Sequence, residues 1–201
     1  MHTLAKLFNS EARVKLLRLF LQNPDIVFLP KEVARRSRVS IPSVNRELRL
    51  LSGIGMIGKH YGMTFDTSSK AVVPKKISGW GLEKDFAYTT ALQGLLVPRE
   101  PFSDKEVLSC FRNAGRLSLL VVSGVFINEP HSRADILLVG DRLKRGAVER
   151  GVKNIEALLG RELSYAILDT KEFEYRYGVY DKFVRDILDY SHRKIVNKLK
   201  F

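Results

Sequence analysis

The stretch Ser132–Asp141, SRADILLVGD, places a carboxylate where a strand could hold magnesium. Side chains at i and i+2 of a strand point to one face, so two aspartates at that spacing can grip one ion against phosphate oxygens. Here Asp135 is followed by Ile136 and then Leu137. An apolar side chain stands where the second ligand belongs. Asp141 is in phase with Asp135, but six residues of strand rise about 20 Å, too far to share an ion. One aspartate helped by substrate phosphates would bind magnesium only weakly. The residues therefore predict that Asp135 makes a structural hydrogen bond or lines a pocket, and does not by itself hold a metal.

Other reactive side chains are sparse. His2, His60, His131 and His192 are far apart and lack the i, i+4 pairing of a zinc helix. The lone cysteine, Cys110, excludes an internal disulfide and is expected as a small apolar residue on a buried helix face. Neither a resident metal nor a cofactor is expected. Apolar runs are short, Arg18 interrupting LLRLFL, and the start of the chain lacks a signal-like apolar core. These features predict a bacterial or archaeal cytoplasmic protein without a membrane partner.

Charge is informative through its placement. The 201 residues carry a formal net charge of +12. Within residues 31–76, ten Lys and Arg face only three Asp and Glu. Such concentration points to a polyanionic partner, with nucleic acid the first choice.

The elements that would position these residues follow from periodicity. Ser10 can cap a helix carrying Val14, Leu17 and Leu21, with Leu16 and Phe20 widening the stripe; Asn23-Pro24 stops it. A second helix is predicted over Pro30–Arg36 and, after Ser37–Ser40, a third over Ile41–Leu51, stopped by Ser52-Gly53. Ile54–Ile77 reads as a hairpin, and Trp80–Val97 as a helix able to serve as spine or dimer surface. Past the prolines of 98–102, Ser103 and Glu106 form a capping box for a helix reaching about Asn113. LSLLVVSGVF, ADILLV and LSYAIL read as strands. Between the last two, an amphipathic helix through Ala147, Val152 and Leu159 closes at Gly160. Thr170 is expected to cap the next helix, YDKFVRDILDY gives another, and HRKIVNKL a final strand. The sum is an α+β chain with domains at 1–97 and 103–201 joined by a linker at 98–102.

Three short helices, a tight turn before the third and a basic hairpin make the order of a winged helix-turn-helix. On the third helix Val44, Leu48 and Leu51 share one face, while Pro42, Arg46 and Arg49 lie roughly opposite, with Ser43 and Asn45 at the edges. Arginine pairs with guanine O6 and N7, and asparagine with adenine N6 and N7. Ser40 and Ser43 can alternatively bind phosphate near the helix start. Arg35, Arg36 and Arg38 flank the turn. Lys59, His60, Tyr61 and Lys70 belong to the expected wing, and Lys75 and Lys76 follow.

LFNSEARVKLLRLFLQNP with KEVARRSRVSIPSVNRELRLLSGIGMI resembles the winged-helix domain of arsenical-repressor-like prokaryotic regulators, over about residues 4–75. That resemblance implies DNA binding as a dimer. The clustered cysteines and histidines of its metal-sensing members are missing. VVSGVF with SRADILLV resembles the core of DNA polymerase beta-type nucleotidyltransferases, loosely over 103–200. It implies that Ser123, Gly124 and Asp135 mark a vestigial nucleotide site, with Ser-Gly in place of the family's Gly-Ser. The combined order looks like a prokaryotic family of predicted transcriptional regulators.

The expected function is sequence-specific binding of double-stranded DNA by a homodimeric regulator that is not an enzyme. Its second domain would serve sensing, dimerisation or docking of a protein partner. Two alternatives are an active nucleotidyltransferase acting on protein or RNA, and an antitoxin or adaptor paired with a second protein. FEYRYGVYDKF concentrates aromatics that could stack bases. Its spacing instead predicts a helix packed on the sheet.

Overall fold

The structure is a computed structural model describing residues 2–66, 73–97, 102–129 and 132–199. It is mixed α+β and divides into two compact units: 1–97 with 156–161, and 98–155 with 162–201. Among the described residues no helix is long and apolar enough to cross a membrane.

In unit 1, α1 (His2–Leu7), α2 (Glu11–Gln22), α3 (Pro30–Ser37) and α4 (Ile41–Gly53) precede a hairpin of β1 (Ile57–Asp66) and β2 (Val73–Leu82). A short helix, α5 (Thr89–Leu96), follows. Ser10 caps α2 by accepting from the Arg13 amide, and Val14, Leu17 and Phe20 pack with Val33, Val44, Leu48 and Leu51 into one core. Pro30 sits in the first turn of α3, where its missing N–H costs nothing. Arg38, left-handed at φ 54°, then turns the chain toward α4.

The end of α4 differs from the expected stop at Ser52-Gly53. Both residues remain helical, and Gly55 at φ +73° takes the left-handed position. The amides of Met56 and Gly55 bond to the carbonyls of Leu51 and Ser52, closing the helix as a Schellman motif. Leu51 and Met56 are both buried there, so the stop is set by packing as well as by glycine.

The helix expected over Trp80–Val97 is corrected more deeply. Trp80 and Leu82 belong to β2, and α5 begins only at Thr89. Residues 79–82 alternate glycine with a large apolar side chain, which is strand periodicity. Trp80 also exchanges both backbone hydrogen bonds with Phe28, so the loop between α2 and α3 adds a short third rung to the hairpin. Glycine permits this approach. A Cβ at Gly79 would lie 2.6 Å from the Phe28 carbonyl oxygen, and one at Gly62 would lie 2.7 Å from Val27 Cβ.

Arg18, the charge within the apolar run of α2, is buried in the same unit. Its Nε donates to the Leu96 carbonyl at 2.7 Å and its Nη1 to the Leu158 carbonyl at 2.8 Å. Burial pulls its pKa below the ordinary arginine value.

Unit 2 runs α6 (Asp104–Cys110), β3 (Arg116–Val122), a single 3-10 turn (Gly124–Phe126), β4 (Ile136–Asp141), α7 (Arg145–Leu159, whose residues from Glu156 on are counted in unit 1) and β5 (Tyr165–Leu168). It ends with α8 (Thr170–Gly178), α9 (Lys182–Leu188) and β6 (Arg193–Asn197). The sheet order is β5-β4-β3-β6, with β4 and β5 parallel and the other pairs antiparallel. A parallel pair needs a crossover, and α7 supplies it.

Smaller corrections come from caps. The Ser103–Glu106 capping box forms, and its hydrogen bonds from Ser103 hold the Glu106 carboxyl below its usual range. The helix it starts ends at Cys110 rather than Asn113. Half-burial pushes the Cys110 thiol up, which makes it a poor nucleophile. Thr170 is not the cap of α8: Asp169 is, accepting from the Glu172 amide, because a carboxylate one residue earlier reaches the free N–H better. Phe173 packs on the sheet as expected, but Tyr175 and Tyr180 are exposed. Tyr180 sits in the turn after α8 with φ 56°, which takes it out of the helical phase.

Gly79→Ala should destabilise the fold by about 1–3 kcal/mol through overpacking against Phe28. Urea unfolding of the two proteins checks this.

Candidate nucleic-acid interface

The outward face of α4 is built by burying the inward one. Val44, Leu48 and Leu51 are almost wholly buried, whereas Pro42, Asn45, Arg46 and Arg49 are exposed. The arginines differ. Arg49 folds back, its Nε donating to the Asn45 carbonyl at 3.3 Å. Among the described residues, Arg46 and the side chain of Asn45 make no such bond and face solvent free. Ser40 and Ser43 hydrogen-bond to each other at 3.0 Å on the exposed start of the helix, each keeping capacity for a further partner. The Ser40 hydroxyl does not cap α4.

Around the turn, the arginines are unequal. Arg36 Nε sits 3.1 Å from Glu32 Oε1, and its guanidinium lies 5.2 Å from the Phe28 ring centroid. It is engaged in holding α3. Arg35 is exposed and only 3.9 Å from Glu32, while Arg38 projects from the turn.

On the hairpin, register sorts the residues. Lys59 lies opposite Trp80, and Tyr61 opposite Ser78, so these four share a face with Lys76. Lys59 Nζ stands 4.2 Å from the Trp80 ring centroid and Lys76 Nζ 4.9 Å from that of Tyr61. Both ammonium groups are held in place while remaining exposed. His60 points to the other face, opposite Gly79 and 3.2 Å from Glu83. It is thereby separated from Lys59 and Tyr61. Lys70 lies outside the described residues, and the Lys75 side chain does too.

One residue that positions this face was missed. Glu47 is buried in α4 between Val44 and Leu48, accepting from Ser10 Oγ at 2.9 Å and from Arg13 Nε at 2.8 Å. Arg13 Nη1 in turn donates to the Phe8 carbonyl. The signal was available: Glu47 is three residues after Val44 and four before Leu51, on the apolar arc. A carboxylate there demands a cation.

In unit 2, the residues around Asp135 come together as a backbone clamp. Asp135 Oδ1 accepts from the Val125 amide at 3.0 Å and Oδ2 from the Ser164 amide at 2.9 Å. Ser123 Oγ donates to the Ala134 carbonyl, and the Gly124 amide donates to Ser132 Oγ at 2.9 Å. Gly124, at φ +57°, has no room for a Cβ beside Asp135 Oδ1. Both carboxylate oxygens thus join the 3-10 turn to the start of β5. Leu137 is buried with Leu119, Val121, Val139 and Leu168 of the sheet, Phe173 of α8, and Val184 and Ile187 of α9. The face to which a second aspartate would point is filled by apolar packing. Among the described residues no three His, Cys, Asp or Glu side chains converge as a metal site.

Comparison with protein-family models, with curated proteins and with solved structures gives no match.

Glu47→Ala should cost about 3 kcal/mol, the low end for a broken buried pair, because Arg13 keeps some solvent. Thermal unfolding of Glu47→Ala beside Arg13→Ala and the double variant measures the coupling.

Proposed function

We propose that the chain is a transcriptional regulator that binds double-stranded DNA through a winged helix-turn-helix in unit 1. In this reading α3, the turn at Arg38 and α4 form the helix-turn-helix, and β1–β2 form the wing. One observation carries it: α4 buries Val44, Leu48 and Leu51 while presenting Asn45 and Arg46, unpaired, to solvent. An exposed asparagine and arginine one residue apart near the start of a helix suit adjacent base edges in a major groove. The cation-bearing hairpin face supports the reading as a phosphate contact, and so does the surplus of charge over 31–76. The homodimer in this reading rests on the resemblance to arsenical-repressor-like regulators.

Unit 2 is, in the same reading, a nucleotidyltransferase-like domain that has lost its reaction. Asp135 is held by two backbone amides, and Leu137, where a second carboxylate would stand, belongs to the core. Its role in this reading is sensing, dimerisation or partner docking for a cytoplasmic regulator.

The test is selection of fragmented source-genome DNA by the purified protein at near-physiological salt. Recovery of a few discrete sites supports a regulator; uniform recovery refutes one. On a selected site, Arg46→Ala should cost roughly 1–3 kcal/mol and relax preference at one base pair. Arg49→Ala, whose guanidinium is folded on its own helix, should cost less. Lys59→Ala should weaken all duplexes alike and reduce the salt slope by about one. Filter binding over a salt series distinguishes these outcomes.

A further inference from the structure

Beside the Asp135 clamp, unit 2 holds a cleft of about 610 Å3 lined by Glu129, Ser132, Arg133, Lys182, Asp186 and Tyr190. Its volume falls among small-molecule sites. The lining holds two cations and two carboxylates, although the whole chain carries +12. A nucleotide is poorly served there. The neighbouring Gly124 and Val125 amides, which could have cradled phosphate, are taken by Ser132 and Asp135. Glu129 and Asp186 would also repel phosphate oxygens.

Two of the four charges answer each other, Arg133 Nε lying 3.4 Å from Asp186 Oδ2. The other two do not. Among the described residues, the side chains of Lys182 and Glu129 make no hydrogen bond or ion pair. One free ammonium and one free carboxylate in a common cleft match a ligand carrying the opposite charge at each end. The Tyr190 ring is largely exposed at the rim, offering an apolar face.

We propose that this cleft binds a free α-amino acid, its carboxylate on Lys182, its ammonium on Glu129 and its side chain against Tyr190. The binding is independent of the DNA reading, and DNA is left out of the test. The full chain is titrated calorimetrically with each common L-α-amino acid at millimolar concentration. AMP and ATP are run alongside. The expected result is saturable binding of at least one amino acid, lost when it is offered as its N-acetyl derivative or its methyl ester. Affinity should fall at least about tenfold in both Lys182→Met and Glu129→Gln. Neither side chain is fully buried, so both variants should unfold at the parent temperature. Failure of every amino acid to bind would overturn the proposal. So would binding indifferent to both substitutions, or occupation of the cleft by AMP or ATP instead.

Discussion

A carboxylate on the core side of a helix is a constraint before it is an interaction. Glu47 is buried inside unit 1, and the Arg13 guanidinium and the Ser10 hydroxyl meet its carboxylate from the start of α2. This fixes more than one contact. Ser10 also caps α2, so the residue that starts one helix holds the middle of another. Apolar side chains such as Leu48 tolerate sliding, since dispersion has little directional preference. The directed bonds of Glu47 do not, and they add a fixed contact to the apolar burial that keeps Asn45 and Arg46 on the outer side of α4.

The two units use the same chemistry to opposite ends. In α4, buried polarity positions a face left open to a partner. Around Asp135, polarity is turned onto the fold itself: both carboxylate oxygens and the Ser123 hydroxyl bond to the main chain. Two backbone N–H groups fix the orientation of this carboxylate, one on each oxygen. The sheet face around Leu137 is filled by apolar side chains and brings no second carboxylate beside it.

Much of this was legible in the sequence where one physical rule dominated. The stripe of α2, the proline start of α3, the Ser103–Glu106 box and the Gly160 stop of α7 are local signals, and each shows in the structure. Trp80–Leu82 departs from the expected helix because it pairs in register with Ile57–Lys59 of β1, and Trp80 also bridges to Phe28, partners that no local window contains. The cap of α8 went to Asp169 instead of Thr170 because two adjacent residues both suit that position. For the candidate interface, the helical phase of α4 placed Arg46 and Arg49 on one side, but only three-dimensional contacts separate the free side chain from the folded one. The parting of His60 from Lys59 and Tyr61 follows from strand alternation alone, and was open to view.

The glycines of the hairpin carry a consequence of another kind. Gly62 and Gly79 lie on the face pressed against Val27 and Phe28, where even a methyl group collides. The opposite face, with Lys59, Tyr61, Lys76 and Ser78, meets no such wall. Variation is therefore tolerated at these four exposed positions and forbidden at the two glycines, while Ile57, Trp80 and Leu82 anchor the base of the ribbon in the core. A lineage, or an engineer, can rewrite the outer side chains without disturbing how the hairpin is seated. Contact preference and fold can drift as separate traits within twenty-six residues of chain.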